Sequence, residues 1–381
     1  MFEALNGPNA NAMNKLFVHI WAPQFLGFGG GITAFSRALA EALHANHKQV
    51  CLFGKLDATS DWHGLPLKGA RAWPFRLRTL GFSFQAIESA WQDRPSVIIS
   101  THLNFGPIAN FIRGLLGIPY VLVAHGIDVH ANLSRSRLSA LRSANAVWAV
   151  SRWTRDRLLD VGVVAARIHI LPNTVSQEVF TIAPPDSALR QRYAIAPDEK
   201  VILTVARLDA EESYKGYDNV LRALPQVRGA IGKVRFLIVG KGNDTARVQG
   251  LVADLGLSDC VTLCGFVPDG ELPAHYRLAD VFALPSLGEG FGIVFLEAMA
   301  CGIPVLGGNR DGSVEALADG ALGRLVDPTS VESISHGLIA LLRREGSAFW
   351  FEPVVLRTTC LQYFGRGVFR KLVSQLITRP L

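Results

Sequence analysis

Two glutamates define the chemistry open to this chain. Glu289 lies in the glycine-bounded run Gly288-Glu289-Gly290-Phe291-Gly292, and Glu297 follows within Ile293-Val294-Phe295-Leu296-Glu297-Ala298-Met299-Ala300. An apolar run, Val281-Phe282-Ala283-Leu284, precedes the pair, and Pro304-Val305-Leu306 follows it. That order reads as strand, glycine loop, helix, strand. A helix opening at Gly292 and Ile293 presents unbonded backbone N–H groups and the positive end of its dipole, which suits an anion such as a diphosphate. One carboxylate can then meet one end of an elongated polar ligand while the other meets a more distant part.

Expelling a diphosphate requires its charge to be neutralised. The chain has no Asp-x-Asp pair to hold a metal for that task, so cationic side chains and helix N-termini are expected to do it. Arg207 falls just past a strand end and Lys215 at the start of the next helix, in Leu203-Thr204-Val205-Ala206-Arg207 through Tyr214-Lys215-Gly216. Arginine offers a planar fork to phosphate oxygens and lysine a point charge. The plainer alternative for Arg207 is a salt bridge to the acids that follow it, Asp209, Glu211 and Glu212.

In the first half, Gly29-Gly30-Gly31 lets backbone approach a ligand closely or makes a tight turn. It is not a dinucleotide fingerprint: Ile32 stands where a third spaced glycine belongs, and Asp57 lies four residues beyond the strand that would carry a ribose-binding acid. His125-Gly126-Ile127-Asp128 ends another apolar strand. Gly240-Lys241-Gly242 and Gly265-Phe266-Val267-Pro268 each follow a strand of the second half.

The segment from Glu289 to Val305 resembles the E-x7-E motif of the retaining glycosyltransferases of the bacterial group 1 family, family GT4. Ala144 to Ser151 and Arg167 to Asn173 are similar to that family's passage out of its first domain, so the resemblance spans nearly the whole chain. It implies the GT-B architecture: α/β, two Rossmann-like parallel-sheet domains facing across a cleft, and a C-terminal helix crossing back to the first. It implies that Glu289 contacts the donor sugar, Glu297 the nucleotide ribose, and Arg207 with Lys215 the donor diphosphate. Gly30 and Gly31 are then expected toward the donor phosphates and acceptor entrance, and His125 near the reacting sugar, with Asp128 a weaker candidate. Gly240, Phe266 and Val267 would frame the base, and Phe291, Gly292 and Ile293 would lie beside the donor. The acidic insertion before Lys215 departs from many members and is similar to a Tyr-Lys-Gly subset.

The resemblance also implies a retaining transfer by a front-face route. The catalytic set would be Glu289, His125, Arg207 and Lys215. The donor would be a UDP- or GDP-sugar, with no cofactor or metal required. A GT-B-like nucleotide-sugar epimerase and a non-catalytic nucleotide-sugar-binding protein are the alternatives.

The elements that must position these residues alternate. Strands are expected at 16–21, 50–53, 97–100, 120–124 and 146–150, with helices at 33–44, 84–91, 107–116, 134–143 and 152–161. The second half starts afresh with strands at 201–205, 235–239, 261–264, 281–284 and 305–306 and helices at 217–224, 245–255, 272–278 and 331–343. Such alternation argues for parallel sheets covered on both faces. A polar, proline-bearing join suggests four parts: a flexible 1–14, an acceptor domain 15–180, a donor domain 181–355, and a crossover segment 356–381 with its helix at 363–377. Met13 is a second candidate start, since the first strand is expected from Lys15.

The length of 381 residues allows two or three domains, and 49% apolar residues argue against disorder. Five cysteines, an odd number without zinc-site spacing, suggest free thiols in a reducing compartment. No uncharged apolar run reaches membrane-spanning length, and Met1 to Asn14 lacks the order of a signal peptide. Residues 1–180 hold 17 Lys+Arg against 10 Asp+Glu, whereas the remainder holds 21 against 22. The tail adds Arg357, Arg366, Arg370, Lys371 and Arg379 without an acid. This basic surface, and the mixed basic and aromatic stretch from Lys68 to Arg78, suit an anionic membrane. The expected partners are a nucleotide sugar, a saccharide or lipid-linked saccharide acceptor, and the cytoplasmic face of a membrane, with no nucleic acid.

Overall fold

The computed structural model describes residues 16–27, 29–46, 48–130 and 133–379. The expected flexible N-terminus, with Met13 and Lys15, lies outside them. The chain divides into two compact units. One runs up to Pro172 and takes in the chain from Phe369 onward; the other is Asn173–Val368.

The first unit holds β1 (Phe17–Ala22), β2 (Gln49–Gly54), β3 (Ser60–Trp62), β4 (Leu65–Gly69), β5 (Val97–Ser100), β6 (Tyr120–Ala124), β7 (Ala146–Ala149) and β8 (Ile168–Ile170). They form one sheet in the order β3-β4-β2-β1-β5-β6-β7-β8, parallel except where β3 meets β4. All five residues of β6 are buried, as expected of a strand covered on both faces. Its core joins Trp21, Phe53, Phe82, Phe105, Ile112 and Leu122. Burying each such side chain fully is worth about 1.5–3 kcal/mol.

The second unit holds β9 (Lys200–Val205), β10 (Val234–Val239), β11 (Val261–Gly265), β12 (Val281–Leu284), β13 (Val305–Gly308) and β14 (Arg324–Val326), in the order β11-β10-β9-β12-β13-β14. Every neighbouring pair is parallel. Loops after β9 to β13 therefore emerge at one edge, where open α/β sheets bind ligands. Its core gathers Ile202, Tyr217, Leu221, Phe236, Val281 and Leu338.

Strands β3, β4, β8 and β14 fall outside the sequence expectation, and three helices depart from it most. The helix expected to stop at 224 runs Tyr217–Ile231 with Pro225 inside. Leu221 and Leu224 before the proline and Val227 after it are all buried, so packing outweighs the missing backbone bond. The helix expected at 84–91 is Arg78–Asp93. The helix expected at 363–377 is two helices, Pro353–Phe364 and Arg366–Ile377, parted at Gly365. Leu356, Cys360 and Phe364 bury the first of these within the second unit, whereas Phe369, Val373 and Leu376 are buried on the next, and Phe369 meets Phe35 edge-on at 5.5 Å.

The join packs with the second unit. Thr174 Oγ1 donates to Phe364 O at 2.7 Å, and Val175 bridges Gly365. Arg357 donates to the carbonyls of Gln177, Phe180 and Ala300. This member of the basic tail is thus used internally.

Candidate active site

In the second unit the glutamate loop is built by glycine. Gly292 caps the helix Ile293–Ala300 at φ +87°, a left-handed conformation that a side chain resists. Backbone holds the rest: Glu289 N donates to Asp311 Oδ2 at 2.7 Å, and Gly312 N donates to Glu289 O at 2.8 Å. Asp311 also accepts from Ser313 N at 2.9 Å, and burial pushes its carboxyl up to about 6. The Glu289 backbone is therefore fixed independently of its side chain.

That side chain pairs with Lys215; the two are 18% and 14% exposed. Lys215 precedes Gly216, whose φ of +81° and close approach to Pro285 O leave no room for a Cβ. The Lys215 ammonium also stands 5.4 Å from the centre of the Tyr214 ring. Arg207, just beyond β9, pairs with Glu212. The plainer expectation for Arg207 is thus present in the molecule.

Glu297 lies inside the motif helix and accepts from Tyr276 Oη at 2.7 Å. Burial pushes its carboxyl up to about 7. Phe291 is buried against Phe364, so it supports the loop from behind while Gly292 and Ile293 open the helix. Gly240 packs backbone on backbone: a Cβ there would lie 1.8 Å from Ala206 O. Phe266 is half exposed beneath the Lys241 ammonium, at 4.8 Å, and Val267 is buried. Loops carrying Arg207, Gly240, Phe266, Glu289 and Asp311 follow β9, β10, β11, β12 and β13 in turn, and so share one sheet edge.

In the first unit, Gly30 caps the helix Gly31–Ala45, accepting from Thr33 N at 2.9 Å. Two side chains brace the loop ahead of it. Asp57 accepts from Phe25 N at 2.6 Å and Leu26 N at 3.0 Å, and Arg37 donates to Phe25 O and Gly27 O. His125 is buried, with Nε2 3.0 Å from Thr101 O and Phe35 edge-on at 5.1 Å. Burial holds its pKa down to about 3, so the ring is neutral near pH 7. A neutral ring facing a carbonyl carries its proton on Nε2 and leaves Nδ1 an acceptor. Asp128 accepts from His125 N at 2.9 Å, and burial pushes it up to about 7.

The structure thus pairs Glu289 with Lys215, Arg207 with Glu212, and Glu297 with Tyr276, and sets His125 against Thr101. Sequence reading did not single out Tyr276, Asp311, Arg37 or Asp57 as site supports. Asp311-Gly312, beginning three residues past β13, offered a turn signal; Tyr276 offered none. Among the described residues no group of three His, Cys, Asp or Glu is placed to hold a metal ion.

Two Rossmann-like parallel sheets, with a C-terminal segment returning to the first, define the GT-B class, and solved structures share it. A sucrose-phosphate synthase from Thermosynechococcus elongatus superposes with a TM-score of 0.80 at 21% identity, over 95% of this chain and 98% of that one. Anabaena HepE in complex with UDP and glucose gives 0.77 at 20%, over 95% and 99%. Residues 30–174 match the family model described as a glycosyl transferase 4-like domain, and 186–348 that of glycosyl transferases group 1. The chain belongs to the group 1 glycosyltransferases, family GT4.

A D-inositol 3-phosphate glycosyltransferase from Mycobacteroides abscessus is 36% identical over 307 residues, 74% of this chain and 67% of the relative. A GDP-mannose-dependent alpha-(1-6)-phosphatidylinositol monomannoside mannosyltransferase from Mycolicibacterium smegmatis is 36% identical over 234 residues, 58% of this chain. The match spans 60% of that mannosyltransferase's length.

Proposed function

We propose that this protein is a retaining, metal-independent glycosyltransferase. It moves a hexose from a nucleotide-diphosphate sugar to a saccharide or lipid-linked saccharide of the cell envelope. The observation that carries this reading is Lys215 and Glu289 paired beside the glycine-capped helix, with Arg207 on the same sheet edge. Cations and backbone N–H groups there suit a departing diphosphate. Glu289 offers an acceptor to donor-sugar hydroxyls once Lys215 turns to phosphate, and Glu297 offers one to the ribose. In the first unit, His125 Nδ1 accepts from a sugar hydroxyl. In the transfer the bond from C1 to the phosphate oxygen breaks and the bond from C1 to the acceptor oxygen forms. The acceptor proton passes to the departing phosphate.

Relatives that use GDP-mannose and a structural neighbour holding UDP leave both bases in the reading. A thermal-denaturation screen of UDP, GDP, ADP and their sugars, with and without EDTA, tests it. One base family should raise Tm by about 5 °C at a hundredfold excess over Kd, unchanged by EDTA. Loss of the shift in EDTA would overturn metal independence; no shift with any nucleotide would overturn the donor site.

The same reading places the protein on the inner face of an anionic membrane. No helix of the described residues is long and apolar enough to cross one. Support comes from an outward row on the helix Arg78–Asp93 and the turn before it: Phe75 is 81% exposed, and Leu77, Leu80, Phe84 and Trp91 are exposed too. Leu80, Phe84 and Trp91 recur at helical spacing on one face. Arg78 and Arg94 lie over Phe75 and Trp91, and Arg71 and Arg76 are exposed nearby. Apolar side chains framed by arginines fit an anionic interface. Sedimentation with phosphatidylglycerol vesicles should show binding that weakens with salt, because the arginines are screened, and that falls about tenfold in a Phe75→Ser/Phe84→Ser variant, because apolar burial is lost. Unchanged vesicle binding with loss of self-association would assign the row to a second copy instead.

A further inference from the structure

The acidic insertion between Arg207 and Lys215 has a defined place beside the cations. It forms the 3-10 turn Ala210–Lys215, opened by Asp209, which accepts from Glu211 N at 3.1 Å through its carboxylate and from Glu212 N at 2.8 Å through its carbonyl. The turn is strapped to the glutamate loop, since Leu287 N donates to Tyr214 O at 2.9 Å and Gly288 abuts the Tyr214 ring. Within it the Glu212 side chain is 8% exposed, while Arg207 is 70% exposed. One Glu212 oxygen pairs with Arg207 Nη2; the other, Oε2, is enclosed and has no hydrogen-bond partner.

This asymmetry decides what happens when an anion arrives. If Arg207 swung away to meet it, Glu212 would be left as a buried carboxylate without its cation, which is strongly unfavourable. Keeping the pair commits only Nη2. The side chain is 70% exposed, and Nε and Nη1 remain to donate. Lysine could not divide its charge in this way.

We infer that Glu212 is a positioning residue: it holds Arg207 through Nη2 so that the rest of the guanidinium faces the donor diphosphate. The inference rests on the donor-site reading above and adds to it a role for the inserted acids. The resting site is thereby balanced, Arg207 against Glu212 and Lys215 against Glu289. Of the two acids, Glu289 is free to exchange its cation for sugar hydroxyls, while the more buried Glu212 keeps its own.

The test is a double-mutant cycle read by calorimetry with UDP and GDP, and with uridine and guanosine as controls lacking phosphate. Glu212→Ala should weaken the bound nucleoside diphosphate by about tenfold and leave its nucleoside within about twofold, as loss of one oriented charge-assisted bond would. Glu212→Gln, which keeps an acceptor for Nη2, should recover most of the loss. Arg207→Ala/Glu212→Ala should bind no more weakly than Arg207→Ala alone, whereas an unrelated structural defect would add. Arg207→Lys should lose as much as Arg207→Ala. Nucleoside binding and the ligand-free Tm report folding in every variant. Unchanged or tighter diphosphate binding in Glu212→Ala, with Arg207→Ala still defective, would overturn the positioning role and make Glu212 a competitor for Arg207. An Arg207→Ala protein that binds diphosphate normally would overturn the donor-site reading itself.

Discussion

Lys215→Ala is expected to cut turnover by about 10²–10³-fold, the usual cost of removing one preorganised donor from a developing charge. Lys215 is the least exposed cation of the site, and Gly216 behind it fixes where the backbone turns. Its ammonium cannot be replaced by water with the same charge. The change also leaves Glu289 without its cation, so the carboxylate would repel the diphosphate that Lys215 attracts. Both effects act in one direction. Stability should suffer far less, by about 1–3 kcal/mol, because both side chains keep some solvent contact. Steady-state kinetics with the donor selected by the stability screen, beside thermal denaturation of the ligand-free protein, separates the two. Turnover within about tenfold of wild type would remove Lys215 from the diphosphate site.

The motif helix was legible because its signals agree locally: an apolar strand, glycines with a required positive φ, then apolar residues to Gly302 and Pro304. The same holds for β6 and β12, whose continuous apolar runs admit little else. What escaped sequence reading depends on distant partners. The β3–β4 hairpin pairs strands of three and five residues, one carrying Pro66, and carries no strong period of its own. The helix Arg78–Asp93 begins six residues ahead of expectation because its outward row is as apolar as its inward one, which blurs the amphipathic pattern. Glu297 finds Tyr276 on the short helix Leu272–Tyr276, and Glu289 finds Asp311 past β13; neither contact has a local signal. Arg207 is the instructive case. The sequence set phosphate binding and acid pairing as rivals, yet a fork with several donors can do both at once.

Glu289→Gln is expected to lower kcat/KM by about 10²-fold or more while nucleoside diphosphate binds at least as tightly as in wild type. The substitution keeps shape and volume. The loop should stay in place, because it is held through Glu289 N on Asp311 and Gly312 N on Glu289 O. What disappears is the charge. Sugar hydroxyls lose a charge-assisted acceptor, which is about twice as strong as a neutral one and matters most as the ring gains positive character. Lys215, meanwhile, keeps at most a neutral acceptor in place of a carboxylate, so more of its charge is available to the diphosphate. Transfer and nucleotide affinity should therefore move in opposite directions, a split that neither misfolding nor general weakening of the site produces. Calorimetry with the free nucleotide and kinetics with its sugar read the two sides. Parallel loss of both would mean that Glu289 serves to hold the loop or Lys215, and near-normal transfer would remove it from the sugar.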